Sequence, residues 1–341
     1  MMRAENPIIE VKNLSVDFKV RGRNRGSGIV SAVDNVSFNI WPGETFALVG
    51  ESGCGKTTLG KAILGRVPAT SGSIQFSGNE ISSASRSEWR ELHSNMQLIF
   101  QNPFSSLNPR MTVRDIIGEP LIVRGAKGES LDKRIDQLLE MVRLPKSVGH
   151  RYPHAFSGGQ RQRIVIARAL ALSPKFIVAD EAVSALDVSI QAQIIILLQE
   201  LQKELGISYL FIAHNLAVVR QIADRVAVMY LGRIVEIADR ETLYKDPQHP
   251  YTKALLSAAP IPDPSYVRPK RVMLEGDPPS PFNPPSGCRF NTRCCQVMDV
   301  CKVDSPPTVN NKDHHVACWG VGSAPEDEGV KSLQITEKGS F

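Results

Sequence analysis

The chain has 341 residues, 42% of them apolar and 22% charged, which is ordinary for a globular protein and enough for one large α/β domain with a smaller appendage. Its 40 basic and 35 acidic residues leave a formal charge of +5, too modest and too dispersed to argue for nucleic acid but compatible with an anionic membrane surface. No apolar run reaches the roughly 18 residues that a membrane-spanning helix needs, and the N-terminus turns polar before a signal-peptide core could form, so neither element is expected.

Residues 8–18 and 29–40 read as strands around a loop that carries Arg21, Arg23 and Arg25 among glycines, the composition of an exposed hairpin tip. Leu14, Val16 and Phe18 alternate along the first of them. Residues 45–49 form a short apolar strand, and Gly50, Glu51, Ser52, Gly53, Cys54, Gly55, Lys56 and Thr57 follow in the pattern G-x-x-x-x-G-K-[ST]. Thr58 then begins a helical stretch. Strand, Gly-rich loop and helix N-terminus form the context this motif needs: backbone N–H groups wrap phosphates and the helix dipole favours their charge. Lys56 is expected to reach the outer phosphates of ATP and the Thr57 hydroxyl to ligate Mg²⁺. Cys54 is expected to be a small filler, because nothing nearby in sequence supplies a base.

Beyond Gln101 the pattern turns helical, most clearly over residues 132–142, and a helical subdomain is expected over about 102–170. Ser157, Gly158, Gly159 and Gln160 open a helix with an apolar stripe, a second N-terminal anion site. One such site per ATP suffices, so a second implies a second chain at the same phosphate. Residues 176–179 are apolar and end in Asp180 and Glu181, as suits a buried parallel strand carrying two acids to a ligand at its carboxyl end. Asp180 is expected to hold Mg²⁺ through water, and Glu181 to act as general base or to position the attacking water. An amphipathic helix over 189–205, stopped by Gly206, precedes a buried strand over 207–214. Each motif occurs once, so a single chain cannot complete its own sites and a dimer is expected.

These stretches, in this order, resemble the nucleotide-binding subunit of an ATP-binding-cassette transporter. The resemblance implies a P-loop α/β core with an N-terminal antiparallel β subdomain, a helical subdomain and a small Cys-rich C-terminal extension. It implies that Ser157 and Gly159 contact the γ-phosphate held by the partner subunit. It makes Gln101 the glutamine linking Mg²⁺ and the attacking water to the membrane subunits, Asp187 the D-loop acid, and His214 the switch histidine on the γ-phosphate. Phe18 is the aromatic assigned to adenine. Residues 96–112, 184–193 and 249–252 are similar to segments of dipeptide and oligopeptide importers, in particular of the second, F-type ATPase subunit. One departure is Ala182-Val183, where such cassettes more often carry Pro-Thr; both acids before it are intact, so ATPase competence is expected. The family context implies a second cassette, two membrane permeases, a solute-binding protein and a peripheral place on the cytoplasmic face of the inner membrane. Rival readings are an importer of nickel or a glycan with the same ATPase, a soluble cassette ATPase, and an iron- or redox-sensing module.

The cassette is expected to span 1–258. Nine prolines between Pro260 and Pro285 mark a linker over 259–287, and the polar stretch 321–341 reads as a mobile tail. Between them, over 288–320, lie Cys288, Cys294, Cys301 and Cys318, spaced C-x5-C-x6-C-x16-C, with Cys295 adjacent. A cytosolic ATPase should not use disulfides, so a metal is the first reading. The spacing suits zinc less well than a four-iron–four-sulfur cluster, which some family members hold in a similar tail; reduced thiols remain the third alternative.

Overall fold

The computed structural model describes residues 6–21, 27–101, 106–258, 276–311 and 313–321. The Arg23–Arg25 loop tip, most of the proline-rich segment and the stretch 322–341 lie outside them. Two sheets organise the chain. In the smaller one, β1 (Ile9–Arg21) pairs antiparallel with β2 (Ser27–Ile40), from Ile9 opposite Ile40 to Arg21 opposite Ser27. The strand β4 (Ser71–Phe76) lies along the other edge of β1, and the short β5 (Asn79–Glu80) follows it.

The larger sheet has eight strands: β3 (Thr45–Val49), β6 (Met96–Ile99), β7 (Phe176–Asp180), β8 (Ser208–Ala213), β9 (Arg225–Tyr230), β10 (Arg233–Asp239), β11 (Thr308–Asn311) and β12 (His314–Ala317), in the order β11-β12-β10-β9-β3-β8-β7-β6. Strands β9, β3, β8, β7 and β6 run parallel, and the remaining pairings are antiparallel. Every residue of β3, β7 and β8 is buried, as an all-apolar run in a covered parallel sheet requires. Side chains alternate between faces, so each strand feeds two cores. Phe46, Leu48, Val178, Leu210 and Ile212 pack toward the small sheet, while Ala47, Val49, Ile177, Tyr209 and Phe211 pack into the larger helical core.

The helices are α1 (Lys56–Ile63), α2 (Arg86–Asn95), α3 (Val113–Val123), α4 (Gly128–Met141), α5 (Gly158–Leu170), α6 (Val188–Leu205), α7 (Leu216–Ile222), α8 (Arg240–Lys245), α9 (Pro250–Ala258) and α10 (Asp299–Val303). Leu59 and Ile63 of α1 join the core under the small sheet. Helices α3, α4 and α5 pack together between β6 and β7, with Arg114 of α3 bridging Asp132 and Asp136 of α4 at 2.8 and 3.0 Å. Helix α6 buries Ile194, Ile195, Leu197, Leu198 and Leu201 and ends at Gly206, whose φ of 68° forms a left-handed cap.

The Cys-rich extension, set off in the sequence by a proline-rich linker, is joined to the main sheet. Its strand β12 adds to the edge of β10, pairing Val316 with Glu236 and His315 with Ile237, and β11 adds to β12. An open edge on β10 would present unpaired N–H and C=O groups, and β12 satisfies them. Phe290 is 1% exposed and meets Tyr230 edge-on, with ring centroids 5.2 Å apart. It therefore belongs to the main core, with Cys288 and Cys294 packed beside it. Phe290→Ala is expected to cost about 3–5 kcal/mol, as for other buried phenylalanines. Thermal melting and limited proteolysis over 288–318 would show it, and an unchanged cleavage rate would mean that the extension is not held by this contact.

Candidate active site at the phosphate loop

The loop from Gly50 to Thr57 joins the end of β3 to the start of α1. Gly55 takes a φ of 109°, and a Cβ there would lie 2.0 Å from the Ala32 carbonyl oxygen, so only glycine fits. Cys54 is buried, and burial pushes its thiol pKa up, which leaves an uncharged spacer as expected from sequence. Lys56 is 5% exposed and turns its ammonium onto the loop, donating to the carbonyls of Gly50 at 2.8 Å and Glu51 at 2.9 Å. The cation is thus held inside the ring of backbone that an anion would enter. Ser52 and Gly53 are exposed at the loop's rim, and Thr58 is half-buried in the first turn of α1. The β9–β10 hairpin turn supports the loop from below: Leu231 and Gly232 both have positive φ, 42° and 84°, and the Gly232 N–H donates to the Cys54 carbonyl at 2.9 Å.

Of the two acids at the end of β7, which lies one strand beyond β8 from β3, Asp180 meets this loop. The Thr57 hydroxyl donates to Asp180 Oδ1 at 3.0 Å. Burial raises the Asp180 pKa, the Thr57 hydrogen bond and Lys61 and Lys56 oppose that rise, and the adjacent Glu181 adds to it. A cation at this point would relieve the cost of the charged form. Glu181 has a φ of 47°, a left-handed conformation that costs a non-glycine residue roughly 1–2 kcal/mol. It is fixed there by its N–H to the Ile212 carbonyl at 2.9 Å and by Ser184 Oγ, which donates to its carbonyl at 3.0 Å. The strained backbone aims the carboxylate at two partners: Gln101 Nε2 donates to Glu181 Oε2 at 2.7 Å, and His214 Nδ1 lies 3.4 Å from the same oxygen. Residues far apart in sequence, Gln101, Glu181 and His214, therefore converge on one atom.

Ser157 caps α5. Its Oγ accepts from the Gln160 N–H at 3.4 Å and Gln160 Oε1 accepts from the Ser157 N–H at 3.1 Å. Gly159 lets α5 lie against α6: a Cβ there would stand 2.5 Å from Ile190 Cγ2. Asp187 precedes α6 and is exposed, as are Ser157 and Gln160. Among the described residues no hydrogen bond joins this surface to the chain's own phosphate loop, and Ser157 and Gln160 bond each other. Phe18 lies on β1 opposite Val30 and is 40% exposed.

Two contacts were not anticipated from sequence. The Tyr251 hydroxyl accepts from the Glu51 N–H at 3.0 Å, and Arg293 of the extension donates from Nη1 to both Glu51 carboxylate oxygens at 2.9 and 3.1 Å. Tyr251 belongs to the 249–252 segment, which carried a resemblance and no role. Beside it His249 is buried, which lowers its pKa to about 3, and its neutral Nδ1 accepts from the Tyr251 N–H at 3.1 Å. Arg293 had no local signal at all.

The four cysteines fit a metal in kind more than in arrangement. Burial raises the thiol pKa of Cys288, Cys318 and Cys294, the last to about 11, and each of the three is raised further by neighbouring cysteines of the set. Among the described residues no group of three or more His, Cys, Asp or Glu side chains is arranged to hold a metal ion. His314 is engaged elsewhere, 2.7 Å from the buried Glu236 carboxylate.

The fold and this constellation have the form of a P-loop nucleotide hydrolase, with a buried lysine on the loop's carbonyls on one side and a carboxylate between Gln101 and His214 on the other. Comparison with known proteins narrows the class. Residues 33–184 match the ABC transporter family and residues 235–301 the oligopeptide/dipeptide transporter C-terminal region. The chain is 52% identical to YkfD of Bacillus subtilis (strain 168), over 95% of this chain and 99% of that one. It is 49% identical to the oligopeptide transport ATP-binding protein OppF of Haemophilus influenzae, over 92% of this chain and 97% of that one. Among solved structures it superposes on cbiO1 from Clostridium perfringens, part of the cbiONQ ABC transporter complex, with a TM-score of 0.63 and 28% identity, covering 71% of this chain and 92% of that one. It also superposes on the dimeric MJ0796 cassette bound to ADP and Pi, with a TM-score of 0.61 and 30% identity over 68% of this chain and 98% of that one. The chain belongs to the ABC transporter ATP-binding proteins, in the branch that carries the oligopeptide/dipeptide C-terminal region.

Proposed function

We propose that this chain is the ATP-hydrolysing, energy-coupling subunit of a membrane importer for dipeptides and oligopeptides. The observation that carries the ATPase part is the convergence of Gln101, Glu181 and His214 on one carboxylate oxygen, beside a Thr57–Asp180 pair and a buried Lys56. The peptide part is supported by the names of its relatives and by the family of its C-terminal region.

Lys56 and the loop N–H groups from Gly50 to Thr57 bind the phosphates, and Phe18 stacks on adenine. Thr57, Asp180 and Gln101 are the residues that would hold Mg²⁺, which would supply positive charge to offset the negative charge developing on the phosphates. Glu181 takes the proton of the attacking water, Gln101 orients that carboxylate, and His214 holds the γ-phosphate. Ser157, Gly158, Gly159, Gln160 and Asp187 serve the nucleotide of a second cassette. Closing on ATP and reopening on hydrolysis then drive two permeases, with a solute-binding protein delivering the cargo. Among the described residues no helix is long and apolar enough to cross a membrane. On this reading the chain docks peripherally to those permeases at the cytoplasmic face of the inner membrane. Co-purification with two membrane proteins, and ATPase stimulation by a peptide-loaded binding protein, test this reading. A chain purified from membranes without permeases would overturn it.

For the extension the finer reading is an iron–sulfur site on Cys288, Cys294, Cys301 and Cys318. It is supported by the mutual influence of these thiols and requires them to draw together from their present arrangement. Protein purified without oxygen should then be brown, with absorption near ~400 nm, and Cys288→Ser should remove the colour. Colourless protein with stoichiometric zinc, or with no metal, would sink the cluster.

A further inference from the structure

We propose that Arg293, delivered by the Cys-rich extension, is a positioning residue of the ATP site: it neutralises Glu51 and fixes the phosphate loop for nucleotide, so that the extension sets ATP affinity. The proposal rests on the reading of Gly50–Thr57 as the phosphate site.

Glu51 is held at every polar atom. Its carbonyl accepts from Lys56 Nζ at 2.9 Å and from the Cys54 N–H at 3.3 Å. Its N–H donates to Tyr251 and its carboxylate accepts from Arg293, a residue 242 positions away in sequence. The first two holds are local and would exist in any loop of this kind. The last two bring distant segments onto the loop. Arg293 is well placed to act: its side chain is 7% exposed, its guanidinium lies over the Tyr230 ring at 6.0 Å, and the Tyr230 hydroxyl is a further acceptor at 3.4 Å. Three residues earlier Phe290 is locked among Tyr230, Tyr251 and His249, so the arginine rides on a fixed backbone.

The charge logic gives the direction. Glu51 is three-quarters buried and sits within the loop that receives a polyanion. Without Arg293 its carboxylate would stand partly desolvated and unpaired, repelling the phosphates at short range where water screens little. With Arg293 the pair is neutral and the loop's N–H groups and Lys56 dominate. The extension is anchored a second time by Arg289, which reaches Asp34 at 2.6 Å. Arg289 does not touch the loop, which makes it the control for loosening alone.

The experiment is ATP binding by calorimetry on the full chain, with steady-state hydrolysis alongside. Arg293→Gln should raise the ATP dissociation constant about 10-fold or more, the scale of losing one charged hydrogen-bonded partner, with the loss in KM rather than kcat. Arg293→Lys should recover most of it. In a Glu51→Gln background the same Arg293→Gln change should shift affinity less than about 2-fold, because there is no carboxylate left to neutralise. Arg289→Gln should leave affinity unchanged. Equal effects of Arg293→Gln in both backgrounds, no effect in the unmodified chain, or an equal effect from Arg289→Gln would overturn the proposal. Lys56→Ala separates the underlying reading: if it leaves ATP binding intact, Gly50–Thr57 is not the phosphate site, whatever Arg293 does.

Discussion

Glu181→Gln is expected to slow ATP hydrolysis by at least ~100-fold while leaving ATP binding intact, the usual scale for losing a general base. The substitution keeps the shape of the side chain and removes its ability to take a proton. It leaves untouched Lys56, Thr57 and Asp180, the residues proposed to hold the nucleotide and its Mg²⁺. The geometry sharpens the expectation. Oε2 of Glu181 accepts from Gln101 Nε2 at 2.7 Å, so the carboxylate has a fixed donor partner. A neutral glutamine could present its own NH₂ to Gln101 and lose that orientation as well. Single-turnover phosphate release would read the chemical step apart from binding. Turnover near the normal rate would move the base elsewhere, with His214, 3.4 Å away and exposed, the next candidate.

What could be read from the sequence was what is encoded locally. The loop from Gly50 to Thr57 carries its own flanks, so its place between β3 and α1 follows from a dozen residues. The ends of β7 and α6 follow likewise from an apolar run meeting acids and from Gly206. Ser157 and Gln160 sit three apart, and their reciprocal cap needs nothing beyond that spacing. The strain at Glu181 has no such signal, because its φ of 47° is imposed by Ile212 and Ser184. The extension was the largest gap. Strands of four residues, such as β11 and β12, show too little alternation to be recognised, and prolines before them suggested separation. Their partner is the edge of β10, some 80 positions back, and sequence spacing gives no hint of it. The same holds for Arg293 and Glu51. The cysteine spacing identified a set of donors; whether they meet depends on how this small unit folds against Tyr230 and Tyr251.

Ser157→Arg is expected to abolish ATP-driven dimerisation without weakening ATP binding to the monomer. In the proposed shared-site arrangement each nucleotide takes one helix N-terminus from each chain, and α1 supplies the first. The second, at α5, has Ser157 and Gln160 exposed, and their capping bonds run to each other. The MJ0796 cassette, on which this chain superposes, is dimeric when bound to ADP and Pi. An arginine at Ser157 places a long cation where the partner's phosphates and Mg²⁺ would come, and removes the cap at a cost of about 1 kcal/mol. That cost is small against the stability of a folded domain, so the monomer should survive and bind ATP within about 2-fold of the unmodified chain. Light scattering is best done in the Glu181→Gln background, where slow hydrolysis keeps ATP in place and the unmodified Ser157 chain should dimerise. Normal ATP-dependent dimers of the doubly substituted chain would show that the α5 N-terminus does not serve a partner's nucleotide, and the shared-site arrangement would fail for this protein.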